Sequence, residues 1–160
     1  MILGEQGSSL AQLNAGILLN KIDVFPNSEV SISNIATQNG DNDLNINRHL
    51  AFKFYTLASK SEEVSADAFL KLGDMHYYGI ATDVDYKKSL DLYARAIEKP
   101  HASVEVTSQA LLSLGMMYQF GWGSEKNLEI ANSYYDRLLQ DSKSTTFAPV
   151  YLLSLMSRWE

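Results

Sequence analysis

The chain has 160 residues, 46% of them hydrophobic and 11% aromatic, which suits one domain or a short repeat array and is too apolar for a disordered tail. Its formal net charge is −6, with no run of Lys or Arg. That argues against nucleic acid and anionic membrane surfaces, both of which are held by clustered cations. There is no cysteine, so disulfides, thiolate zinc sites and cysteine nucleophiles are excluded.

No apolar run approaches the ~20 residues needed to span a bilayer. The opening "MILGEQGSS" lacks the charged and long apolar parts of a signal peptide. No Asn-x-Ser/Thr acceptor occurs, which weighs mildly against a heavily glycosylated surface.

Residues 7–60 are expected to form a helix pair interrupted by an insertion. Ala11, Ala15 and Gly16 fit the places that Ala68, Leu72 and Gly73 hold further on, at an offset of 57. Ala51, Phe54, Tyr55 and Ala58 fit the places of Ser89, Leu92, Tyr93 and Ala96, at an offset of 38. The difference is an insertion, supplied by residues 25–42, "FPNSEVSISNIATQNGDN". This stretch is rich in Asn, Ser and Gly and carries little periodicity, so it reads as a long mobile loop.

Residues 65–99 form the clearest pair. Ala68, Leu72, Met75, His76 and Gly79 recur at helical spacing. Ser65 is a plausible N-cap, and Gly79 fits the left-handed position that ends a helix. In the second helix Tyr86, Leu90, Tyr93 and Ile97 form a stripe. Asp85 is placed to cap its start, and Pro100 ends it.

Residues 103–140 repeat the plan at a constant offset of 42. Ala68 matches Ala110, Leu72 matches Leu114, Gly73 matches Gly115, Gly79 matches Gly121 and Tyr93 matches Tyr135. A helix is expected near 104–120, then the turn "GWGSEKN", then a helix near 128–140. Residues 146–160 read as the first helix of a further, incomplete pair. A period of this size signals stacked supersecondary units. The fold expected is therefore all-α, a right-handed α-solenoid of helix pairs. Small residues are needed where neighbouring helices approach, which explains a recurring glycine that otherwise costs about 1 kcal/mol inside a helix.

No residue set supports chemistry, so an enzyme is not expected, and neither cofactor nor metal is implied. His76 occupies the place of Tyr118 in the next pair and reads as a packed aromatic slot. His49 and His101 lack matching ligand spacing. The "Thr-Asp-Val-Asp" turn at 82–85 lacks the ligand order of a calcium loop, and "GWG" at 121–123 lacks the Lys-Ser/Thr of a phosphate loop.

The candidate protein-binding residues lie elsewhere. Trp122, between two turn glycines, is either an exposed interface anchor or tucked back over its own helix pair. Phe147, Tyr151, Leu155, Met156 and Trp159 line the last helix. Their apolar surface is either covered by a partner or packed as a simple cap.

The pattern A-x-x-x-L-G-x-x-Y-x-x-G, an acidic turn, then A/S-x-x-x-Y-x-x-A resembles the Sel-1-like repeat, a relative of the tetratricopeptide repeat. Here it reads Ala68, Leu72, Gly73, His76, Gly79, Asp83, Ser89, Tyr93, Ala96. The next copy reads Ala110, Leu114, Gly115, Tyr118, Gly121, Glu125, Ala131, Tyr135, Leu138. Ala81 departs from the second turn glycine that Gly123 keeps, Leu138 replaces a small residue, and Ile22 stands where a glycine is expected. The resemblance covers residues 45–140 well and the ends weakly.

"LGDMHYYGIATDVDY" at 72–86, and Ala148-Pro149 opening an apolar helix, are similar to the membrane-proximal repeats of Sel-1-like adaptors of ER-associated degradation. That resemblance implies a non-enzymatic scaffold in the endoplasmic reticulum lumen, tethered to the membrane by segments outside this chain. Its partners would be a membrane RING ubiquitin ligase, a lectin-like factor that recognises glycoproteins, and misfolded luminal clients. A cytosolic Sel-1-like scaffold, or an activator of another enzyme complex, is the alternative.

Overall fold

The computed structural model describes residues 9–24, 40–61 and 65–141. They form six helices: α1 (Ser9–Val24), α2 (Gly40–Ala58), α3 (Ser65–Tyr78), α4 (Tyr86–Glu98), α5 (Val104–Phe120) and α6 (Leu128–Asp141). No strand occurs among the described residues. Each odd-numbered helix packs mainly on the even-numbered helix that follows it, while α2–α3 and α4–α5 contacts join successive pairs. The architecture is a solenoid of helix pairs. Residues 25–39 of the expected loop and the expected helix at 146–160 lie outside the described residues.

The repeating glycine has a physical cause in each pair. A Cβ on Gly16 would lie 2.7 Å from the Tyr55 ring, and one on Gly73 would lie 2.6 Å from the Tyr93 ring. On Gly115 it would overlap the Tyr135 ring. The three tyrosines are at most 2% exposed. Burying such a ring removes about 150–200 Å² from water, a gross gain of about 4–5 kcal/mol. That outweighs the helix-propensity cost of the glycine beneath it.

The hydroxyls are accommodated differently. Tyr93 Oη donates to Asp74 Oδ1 at 2.8 Å, and Tyr135 Oη donates to Gln119 Oε1 at 2.8 Å. Tyr55 Oη is buried without a partner; Ile17 stands where Asp74 stands in the next pair. Burial raises the Tyr135 hydroxyl to about 12. Burial, and then the nearby Asp74, push Tyr93 and Tyr55 higher still. Burial also raises the Asp74 carboxyl, opposed by Lys71 at 3.6 Å and by the Tyr93 hydrogen bond.

Helix ends follow local chemistry. Gly79 and Gly121 are left-handed, with φ of 69° and 74°, and the residue after each donates a hydrogen bond five residues back. Ile80 N–H donates to Met75 O, and Trp122 N–H donates to Met117 O, both at 2.8 Å. Asp85 caps α4 by accepting the Lys88 N–H at 2.9 Å, and Asn127 does the same for α6 through the Ile130 N–H at 3.0 Å. Lys99, extended at φ −77° and ψ 131°, ends α4 before Pro100, as the proline ring demands of the residue preceding it.

Four local expectations need correction. Ser65 is the first residue of α3 rather than the cap before it. Helix α2 starts at Gly40, inside the stretch expected as loop. The buried stripe of α4 is Ser89, Leu92, Tyr93 and Ala96, not the stripe through Tyr86 and Ile97. The small residue Ser89 donates its hydroxyl to Gly73 O at 2.9 Å, which pulls that face inward. Ala11 is exposed although Ala68 and Ala110 are fully buried, because no described helix precedes α1 to cover it.

Candidate binding surface

The two described turns within helix pairs, 79–85 and 121–127, lie side by side because of one backbone approach. A Cβ on Gly123 would sit 2.5 Å from the Tyr86 carbonyl group and 2.8 Å from the Lys87 nitrogen. The second turn therefore rests directly on the start of α4, in the preceding pair. This seats Trp122 among rings of both pairs. Its ring centroid is 5.7 Å from Tyr77, 6.2 Å from Tyr86 and 4.9 Å from Phe120. Tyr77 in turn meets Tyr78 at 4.8 Å and Tyr86 at 5.4 Å, both edge-on, the arrangement favoured by aromatic quadrupoles.

Much of this cluster faces water. Tyr78 is 67% exposed, Phe120 52% and Tyr86 39%. Tyr77 and Trp122 are half-buried and anchor the cluster to the core. Burial first, then Tyr78 and Tyr86, raise the Tyr77 hydroxyl above its ordinary value, so Tyr77 is uncharged at neutral pH. The surface offers flat rings with polar tips on a rigid frame, a composition enriched at protein–protein hot spots.

Trp122 thus follows neither sequence expectation completely: it is not a free anchor, and it leans on the preceding pair as well as its own. Phe147, Tyr151, Leu155, Met156 and Trp159 lie outside the described residues. Tyr77, Tyr78, Tyr86 and Phe120 were missed as site residues. Their signal was the pair of aromatics immediately before Gly79 and the Phe before Gly121, which sit at the mouths of the turns. A shallow depression along α2, lined by Asn45, Ile46, His49, Leu50 and Lys53, draws on a single helix and gathers no convergent polar groups.

Among the described residues no group of His, Asp and Glu could hold a metal ion, and no helix is long and apolar enough to cross a membrane. His49 is exposed, and its Nδ1 is 2.8 Å from Asn45 O on its own helix. His76 is packed, 3% exposed, against Phe52 at 5.6 Å. The positions that repeat in the sequence serve packing: Ala68, Ala110, Leu114 and Tyr135 are wholly buried, and Leu72 is 5% exposed. Exposed rings on a packed frame suit the arrangement to binding.

A stack of helix pairs with an aromatic surface at its turns defines a protein-interaction solenoid. The model of the Sel1 repeat matches residues 31–62, 66–101 and 108–138, and the chain belongs to the Sel1 repeat family. The later two matches coincide with α3–α4 and α5–α6. The first begins after α1, yet α1 still takes the first-helix place, with Gly16 under Tyr55. An uncharacterized Sel1-like repeat-containing protein of Schizosaccharomyces pombe is 33% identical over 97 residues, 59% of this chain and 14% of that protein. The chain therefore matches only a small part of that relative's length.

Proposed function

We propose that this chain is the membrane-proximal part of a Sel1-type adaptor of ER-associated degradation. It would lie in the endoplasmic reticulum lumen, bind a membrane RING ubiquitin ligase, and act with a lectin-like recognition factor to deliver misfolded luminal proteins. The observation that carries this reading is the stretch Leu72–Tyr86. It carries the resemblance to those adaptors, and it contributes Tyr77, Tyr78 and Tyr86 to the aromatic surface. A rigid aromatic surface suits a permanent assembly partner better than varied clients, because its geometry is preset. The last residues, with Tyr151, Met156 and Trp159, are a second proposed contact.

The test uses the full-length protein in microsomes. It is expected to be protease-protected until detergent is added and to co-purify with the ligase. Tyr78→Ser with Phe120→Ser should lower ligase recovery by about tenfold while leaving the helical signal intact, as the loss of interface aromatics does. Protease accessibility in sealed microsomes would overturn the luminal location. Undiminished recovery of the double variant would remove the aromatic surface from the interface. Full recovery by a chain ending at residue 140 would remove the C-terminal contact.

A further inference from the structure

Of the three histidines, His49 and His101 are exposed and His76 alone is buried, at 3% exposure. His76 lies on α3 at the seam with the preceding helix pair, where the Phe52 ring of α2 meets it nearly perpendicularly at 5.6 Å. Its Nδ1 is enclosed and has no hydrogen-bond partner. In the following pair the same place holds Tyr118, a phenol stacked on Tyr134 of its own pair at 5.8 Å. One seam thus contains an imidazole that the other lacks.

We propose that His76 makes the seam between the first and second helix pairs acid-labile, while the seam between the second and third pairs holds. In the neutral ring Nδ1 is a bare acceptor, a tolerable loss. Protonation would put a charged N–H at that same enclosed atom, with no acceptor to receive it, and buried charge without a partner is strongly disfavoured. The groups around the ring do not supply one. From α2 the neighbour is Phe52, which has no charge and no acceptor for Nδ1. From α4 comes Lys88, which opposes the cation, while the Asp85 carboxylate and a hydrogen bond with the Asp83 backbone favour it. Burial is the largest influence, Lys88 adds to it, and together they lower the His76 value below 6.5.

The unfolded or opened chain therefore takes up the proton first. Stability from this seam is complete above about pH 6.5 and falls as pH drops toward the lowered folded value. Because the buried ring belongs to the α2–α3 contact, the loss is local: the first pair loosens from the second.

Hydrogen exchange on the full chain, corrected for intrinsic pH effects, tests this between about pH 7.5 and pH 5.5. Protection of α2 and α3 should fall by up to about tenfold for each unit by which His76 is lowered, with α5 and α6 unchanged. His76→Tyr, the residue type of the next pair, should abolish the acid effect. Equal acid loss in His76→Tyr, or an equal loss in all helices, would overturn the proposal. Should that variant fail to fold, NMR titration of the wild-type ring decides. A midpoint below 6.5, with a matching drop in α2 and α3 protection, supports the proposal; a midpoint at or above 6.5 overturns it.

Discussion

The second and third helix pairs use the same backbone for different side chains. Both turns start from a left-handed glycine and end on an Asx cap whose own N–H bonds back to the first helix: Asp85 to His76 O and Asn127 to Tyr118 O, each at 2.9 Å. Between these fixed points the pairs diverge. Ala81 is left-handed at φ 58°, where Gly123 has φ 80°. Tyr93 finds Asp74 beside the helix glycine, whereas Tyr135 finds Gln119 a turn later. The contrast teaches that the repeat prescribes where a ring must go, and leaves open which polar group receives its hydroxyl.

The strongest way to break this equivalence is Gly115→Val. The new side chain would overlap the Tyr135 ring, and expelling a buried tyrosine costs about 3 kcal/mol or more. Thermal melting should show the third pair unfolding well below the rest; an unchanged melt would end the packing argument.

Gly123→Ala comes next. It combines a left-handed conformation with a clash against the Tyr86 backbone, which cannot rotate away, so about 2 kcal/mol of destabilisation is expected. The opposite exchange, Ala81→Gly, should raise stability by about 0.5–1 kcal/mol by relieving a strained alanine. Chemical denaturation of both variants checks the pair of signs.

The last comparison separates the tyrosine hydroxyls. Tyr93→Phe takes one donor from the half-buried Asp74 and leaves it only Lys71, and should cost about 1–2 kcal/mol. Tyr55→Phe removes a hydroxyl that has no partner and should be neutral or slightly stabilising. Equal losses in the two variants would mean that the hydroxyls, unlike the rings, do not distinguish the pairs.

The fold was largely readable. The recurrence of Gly16, Gly73 and Gly115 marked the places where helices approach closely, and the structure shows that the approaching groups are the rings of Tyr55, Tyr93 and Tyr135. The candidate surface was only half readable. Trp122 stood out between its glycines, but its neighbours Tyr77 and Tyr86 belong to the preceding pair. Their meeting depends on how closely one turn sits on the next. Ala11 shows the same limit: its place in the repeat predicts burial, and burial requires a preceding helix.

The sequence by itself determined the helix pairs, most of their ends and the need for small residues where helices meet. Those rest on short-range sterics and on hydrogen bonds between residues near one another in the chain. Tertiary structure alone decided which aromatics of different pairs gather into one surface. That depends on the distance between pairs, set by backbone approaches such as Gly123 on Tyr86, and no local spacing records that distance.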